Sequence, residues 1–564
     1  MGAIKFENDE SGTSKWALQR PAINREIEGY ASECSINRGE RISFYINTAA
    51  PEFTLRLFRM GWYNGLGGRD YGIQVTMPGT LQTIPVRDAE TGLVECDWSV
   101  SYELQTSKEW CTGVYVAKLE ESETQKQSYI IFVLRDDSAS PDILFQLPMT
   151  TYQAYNYWGG KNLYESGSGS DTHWGSISGK PATKLSFNRP YAASNNLKAA
   201  FGMGAGDFFA NTRPVTTHNY PISSAGWDYN MVRWLEKNGY DIGYSTSLDT
   251  HIRGQALHKP KIFLAHGHDE YWSHEMRANV TLARDKGTHL AFISSNTMFW
   301  QIRFEDSIAH NKPYKTLVCY KESELDPVKG KKSTVNFRDI PEQGSEASLI
   351  GVNYILDPVV DDITIANAAH WIFDNTGLKN GDKLKGLLGY EIDALSENSP
   401  PNITVLAASV SQNRDKSDYP RIIKYMMVKI LKISVQPLER TLKIPKTFGI
   451  VLIVLILVLA LLLSWQTLIK LGVEVLLAAA AFIATVFLIW FLKIINSGKV
   501  TSHMTIYKAE SNAFVFATGS MQWVWGLDDF NAPHLRKDYS NKAVEIATRN
   551  LFKKLGALPH ASKN

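Results

Sequence analysis

Two successive apolar runs end in polar clusters that could do chemistry. KIFLA (261–265) leads into His266, Gly267, His268, Asp269, Glu270, Tyr271 and Trp272, and HLAFIS (289–294) leads into Ser295, Asn296 and Thr297. Imidazoles and carboxylates at this density can hold a metal or move protons, and a neighbouring amide can donate to an oxygen that gains charge. Both runs read as strands separated by a helix, which predicts a parallel sheet, and ligands of such sheets sit at the carboxyl ends of the strands. Both clusters are therefore expected at one sheet edge, in one shared site.

Other chemistries are poorly served. No Ser or Cys stands in a GxSxG or GxCxG elbow, and Cys319 lies in an apolar strand-like run, TLVCYK, with no His beside it. His266, His268, Glu270 and His274 are spaced only loosely like a zinc site, matching neither HExxH nor HxxEH. Gly202, Gly204 and Gly206 do not form GxGxxG because Asp207 follows, and SGSGSD (166–171) is ordinary loop composition.

The elements that must position these groups can be read on either side. DILFQL (142–147) predicts a strand, 228–238 a helix stopped by Gly239, 241–245 a strand, and 273–286 a helix capped by Ser273. This alternation predicts an α/β domain, a parallel sheet with helices on both faces, starting at 140 and running to 414. Upstream, short β-type runs such as RISFYI (41–46), FTLRLFRM (53–60), GVYVAK (113–118) and SYIIFVL (128–134) alternate with Gly, Pro and Asp turns. They predict a β-sandwich over 26–136 after an N-terminal segment, 1–25. GWYNGLGGR (61–69) reads as a hairpin loop facing the next domain, with phosphate or sugar binding as the alternative.

With 59 Lys+Arg against 57 Asp+Glu and 44% apolar residues, the chain is neither a disordered tail nor a polybasic nucleic-acid binder. Cys34, Cys96, Cys111 and Cys319 form no CxxC pair, and the first residues lack the apolar core of a secretory signal. Buried thiols in a reducing cytoplasmic compartment are the expectation, with two disulfides as the alternative.

The mean hydropathy of −0.20 hides two uncharged runs, 449–465 and 475–492. Each is near the minimum for a membrane span, and basic residues flank both outer ends, namely Arg440, Lys443 and Lys446 before and Lys493 and Lys499 after. A transmembrane helical hairpin over 448–493 with both ends cytoplasmic is expected, preceded by a basic amphipathic segment, 415–447. A buried hairpin and a gene-model artefact are the alternatives. Strand-like sequence on both sides, 402–410 and 503–521, places the hairpin as an insertion into the α/β domain, whose second part with a C-terminal helix spans 500–564.

Longer motifs carry a resemblance. TYQAYNYWGGKNLY (151–164), FNRPYA (187–192), VRWLEKNGYD (232–241), GHDEYWSHEMR (267–277), SSNTMFWQIRFE (294–305), HWIFDNTGL with GLLGYEID (370–393) and FATGSMQWVWGLDDFN (516–531) together resemble the large, beta subunit of N,N-dimethylformamidase and its relatives. The resemblance covers residues 27–410 and 503–531, in order. It implies a β-sandwich joined to a glutamine-amidotransferase-like α/β domain holding mononuclear iron, Fe3+, on two tyrosines and a glutamate. Matched by motif, the implied metal ligands are Tyr155, Tyr191 and Glu270, with Tyr152 in reserve for the first. Two phenolates and a carboxylate suit a hard trivalent ion and bring the site near neutrality. The expected catalytic groups are Glu391, which resembles the family's acidic residue suited to general acid/base work, with His268, two residues before Glu270, to hydrogen-bond substrate or water and Asn296, at the end of the adjacent strand, to donate to the developing oxyanion. For Glu391 a salt-bridged surface carboxylate is the competing reading.

The expected function is therefore iron-dependent hydrolysis of the C–N bond of a small carboxamide or formamide, by a membrane-tethered amidohydrolase that binds no nucleic acid. The alternative from another class is a noncatalytic scaffold whose sandwich binds carbohydrate or protein. The enzyme that names the family has a small partner subunit, and for this chain both that subunit and a homo-oligomer stay open.

Overall fold

The computed structural model describes residues 3–164, 181–194, 196–211, 224–412 and 499–559. The chain divides into two units, one made of residues 1–409 with 501–564, the other of residues 410–500, nearly all of which lie outside the described residues. The first unit carries a sandwich and an α/β part.

The N-terminal sandwich has two sheets. One runs in the order Ser35–Asn37, Gln127–Arg135, Gly113–Glu121, Glu52–Met60, Gly68–Pro78; the other in the order Ile27–Ala31, Arg41–Thr48, Tyr102–Gln105. Phe44 of the smaller sheet meets Phe132 of the larger, ring centres 5.8 Å apart. Gln127–Arg135 is buried on both faces, because the N-terminal segment and the chain near Met203 cover its outer side. Tyr129 Oη donates to the Trp16 carbonyl at 2.6 Å, and its N–H donates to the Met203 carbonyl.

The α/β part is built on a seven-stranded sheet in the order Ile242–Thr246, Ile143–Leu147, Ile262–His268, His289–Ser295, Phe514–Ala517, Lys499–Lys508, Thr404–Gln412. The first five pair in parallel. Their sequence order is 2-1-3-4-5, a doubly wound arrangement whose switch point lies between Ile143–Leu147 and Ile262–His268. Helix His274–Asp285 buries Met276, Val280 and Ala283 against Phe263, Ala265, Leu290 and Phe292 on one face. Helix Asp228–Lys237 lies on the other, where Asp228 meets His266 and Glu236 accepts from Tyr244 Oη. Ser273 caps the first helix by accepting from the Met276 N–H at 3.0 Å, and Gly239 ends the second at φ 67°.

The sandwich is locked to the α/β part by charge and by close approach. Arg59 and Glu236, both fully buried, pair at 2.7 Å. The loop around Gly61 and Gly67 faces helix Asp228–Lys237. A β-carbon on Gly67, at φ 84°, would collide with Tyr229 Oη.

The expected architecture needs one correction. The described residues form a mixed α/β fold with several sheets, and among them no helix is long and apolar enough to cross a membrane, so a transmembrane hairpin gains no support. Hydropathy counts apolar side chains but cannot say which element they join. The run expected to form the hairpin, 448–493, and the basic segment before it lie outside the described residues. All four cysteines are free thiols.

Candidate metal centre

Strand Ile143–Leu147 runs into helix Met149–Tyr155 at the switch point, and this brings Tyr155 to the end of the neighbouring strand, where Glu270 stands. Thr151 in that helix receives the Glu270 N–H on its hydroxyl at 3.0 Å. The Glu270 carbonyl accepts from the N–H groups of Phe299 and Trp300 at 2.9 and 3.1 Å. The backbone of Glu270 is thus clamped between the first helix and the turn after His289–Ser295.

After Tyr155 the chain folds back on itself through Gly159 and Gly160, at φ 82° and 89°. The left-handed region suits glycine, and a β-carbon at Gly159 would also press on Val94 at 3.0 Å. Arg189, 1% exposed, pegs the fold-back from inside. Its guanidinium donates to the carbonyls of Trp158 and Asn156 at 2.8 and 2.9 Å and to Gln153 Oε1 at 3.0 Å. Asn162 closes the loop, donating to the Tyr155 carbonyl at 3.1 Å and accepting from the Tyr164 N–H at 2.9 Å.

The result is a convergence of three acidic side chains. Tyr155 Oη donates to Glu270 Oε2 at 2.6 Å, Tyr164 Oη donates to Glu270 Oε1 at 3.0 Å, and the two phenol oxygens are 2.7 Å apart. Tyr271 Oη donates to Tyr164 at 2.6 Å from behind. Burial, with Glu270 close by, pushes the Tyr164 phenol well above its usual value, and Tyr271 is raised for the same reasons. Neither phenol ionises near neutral pH without a strong Lewis acid or an equivalent positive charge.

Oxygens bound to one ion at roughly 2 Å lie about 3 Å from each other, so this trio needs little movement to share a metal. Its hard anionic donors match a trivalent ion. Among the described residues no group of three or more His, Cys, Asp or Glu side chains could hold a metal.

His268 stands next to the trio, its Nε2 3.1 Å from Glu270 Oε2 and 3.4 Å from Glu391 Oε2. Glu391 is 2% exposed, which removes the reading of it as a surface carboxylate. Asn296 sits at the same sheet edge. Its N–H donates to Asp393 Oδ1 at 2.9 Å, and Ser295 Oγ donates to the same oxygen at 2.7 Å. Burial raises the Asp393 carboxyl to about 7.

Tyr191 stands apart from this cluster. It is half-buried near Cys34, Arg189 and Gly204, its ring centre 6.4 Å from that of Tyr152. Tyr152 is also elsewhere, donating to Asp228 Oδ2 at 2.5 Å, while Asp228 Oδ1 meets His266 Nδ1 at 3.0 Å. The second phenol beside Glu270 is Tyr164, which the motif match does not single out. The signal for it lies in the TYQAYNYWGGKNLY stretch, where the Gly-Gly pair permits a reversal that returns a tyrosine to the helix. Cys319 is buried and its thiol is pushed up to about 12, chiefly by burial, so it offers no thiolate. Lys321, two residues on, is also new. Its ammonium rests on the aromatic faces beside Tyr164, and burial lowers it to about 8.

A family model described as N,N-dimethylformamidase beta subunit-like, C-terminal, matches residues 54–541. No curated protein matches the chain.

Proposed function

The chain belongs to the N,N-dimethylformamidase beta subunit-like family, and from this we propose that it is an iron-dependent amidohydrolase cleaving the C–N bond of a small carboxamide or formamide. The observation that carries the reading is the convergence of Tyr155, Tyr164 and Glu270, whose oxygens approach one another at 2.6 to 3.0 Å. These three would hold the ion. Bound there, iron supplies Lewis acidity toward an amide carbonyl or a water molecule.

The remaining work falls to the chain's own side chains. Water adds to the carbonyl carbon while its proton passes through His268 to Glu391. The side-chain amide of Asn296 donates to the oxygen as it gains charge. The proton then returns to nitrogen as the C–N bond breaks, so that acid and amine leave and no residue stays modified. His268 lies between Glu270 and Glu391, which suits it to carry a proton along that path.

The test is metal analysis with a visible spectrum on the purified full chain, followed by a screen of small amides. Stoichiometric iron with a tyrosinate-to-iron charge-transfer band is expected. Colourless, iron-free protein after iron supplementation would overturn the reading and leave a noncatalytic binding protein ahead.

A further inference from the structure

Lys321 follows the short strand Thr316–Val318 and takes a left-handed backbone conformation, φ 64°, which a residue with a β-carbon disfavours. Its N–H is fixed on the Thr334 carbonyl at 2.8 Å. Held this way, the side chain turns toward the metal centre. The ammonium nitrogen lies 3.4 Å from the centre of the Tyr164 ring, 4.7 Å from that of Trp300 and 5.5 Å from that of Tyr271. Among the described residues it forms no ion pair; it rests on aromatic faces, with the Glu270 carboxylate near enough to act on its charge.

A cation over a ring face is drawn to the electron density there. A phenolate spreads its negative charge into the ring, so the same cation is held more tightly by phenolate than by phenol. It also lowers the energy of the filled π orbital that would donate to a metal. Resting on the iron reading, we propose that Lys321 is a positioning residue that tunes the Tyr164 donor, weakening its donation to iron. Lys321 binds no metal itself and acts through the ring.

The consequence is spectroscopic. The charge-transfer band measures the gap between the filled phenolate orbital and an empty iron orbital, and a cation that lowers the first widens the gap. It also favours reduced over oxidised iron. The experiment compares full-length wild type, Lys321→Met, Lys321→Gln and Lys321→Arg, each loaded with ferric iron, by visible spectrum and redox titration.

In the Met and Gln variants the iron content is expected to hold, the band to move to longer wavelength and the reduction potential to fall. The Arg variant, which keeps a cation over the ring, is expected to stay near wild type. An unshifted band and potential in iron-loaded Met and Gln variants would overturn the role of Lys321 while leaving the iron centre standing. A wild type that binds no iron would overturn both. The Gln variant, with its polar side chain, covers the case in which Met perturbs the fold.

Discussion

Tyr164 and Glu270 are 106 residues apart in sequence, yet the phenol oxygen of one lies 3.0 Å from the carboxylate of the other. Tyr155, nine residues before Tyr164, completes the contact at 2.7 Å from that same phenol. A fold-back loop and a strand end, brought side by side at the switch point of the sheet, create a donor set that no single segment contains.

The first prediction separates the two candidate tyrosines. Tyr164→Phe deletes one of the two converging phenol oxygens and is expected to abolish stoichiometric iron and its colour. Tyr191→Phe, altered away from the cluster, is expected to keep both. Metal analysis of the two purified variants decides between them, and the opposite pattern would return Tyr191 to the ligand set.

His268 is placed to move protons without being needed to hold the ion. His268→Gln is therefore expected to retain iron and to lose roughly 10²- to 10⁴-fold in kcat on whichever amide is turned over. Loss of iron in this variant would instead make the imidazole part of the metal's support.

Asp393 gives a pH dependence whose sign can be worked out. Its carboxyl rises from the usual 3.8 to about 7 in the folded chain because it is buried. Between roughly pH 4 and pH 7 the folded state holds a proton that the unfolded state has released, so the stabilisation, complete at low pH, is lost as pH rises through 7. Asp393→Asn mimics the protonated form and still accepts from Ser295 and Asn296. Its melting temperature is expected to gain on wild type from pH 4 to about pH 7 and to hold that gain above it, and parallel curves would contradict the assignment.

The buried pair between sandwich and α/β part should be costly to break. Arg59 donates to Glu236 Oε1 at 2.7 Å and to the Thr112 carbonyl at 2.8 Å, and both partners of the pair are fully buried. Arg59→Met strands the carboxylate of Glu236, a loss of about 3–5 kcal/mol for a buried pair deprived of one partner. A double variant that also carries Glu236→Leu is expected to recover part of this. Thermal unfolding of the singles and the double tests it, and strictly additive losses would mean the charges are not coupled.

Much of the scaffold was legible in the chain because it rests on local chemistry. Alternating apolar residues mark the strands of the sandwich. Ser273 and Gly239 mark helix ends through a cap and a left-handed stop, and the strand–helix alternation from residue 142 onward forces a parallel sheet. That sheet alone gathers His268, Glu270 and Asn296 at one edge, since ends of parallel strands share a side. The tertiary structure decided which phenol reaches Glu270. Tyr164 arrives there only because Gly159 and Gly160 reverse the chain and buried Arg189 ties down the carbonyls of the loop. A motif match records which residues recur, and it does not record the path of a loop. Tertiary packing likewise turned Glu391 inward and set Lys321 over a ring. Both outcomes depend on contacts between segments far apart in the chain, and no local pattern of residues encodes such contacts.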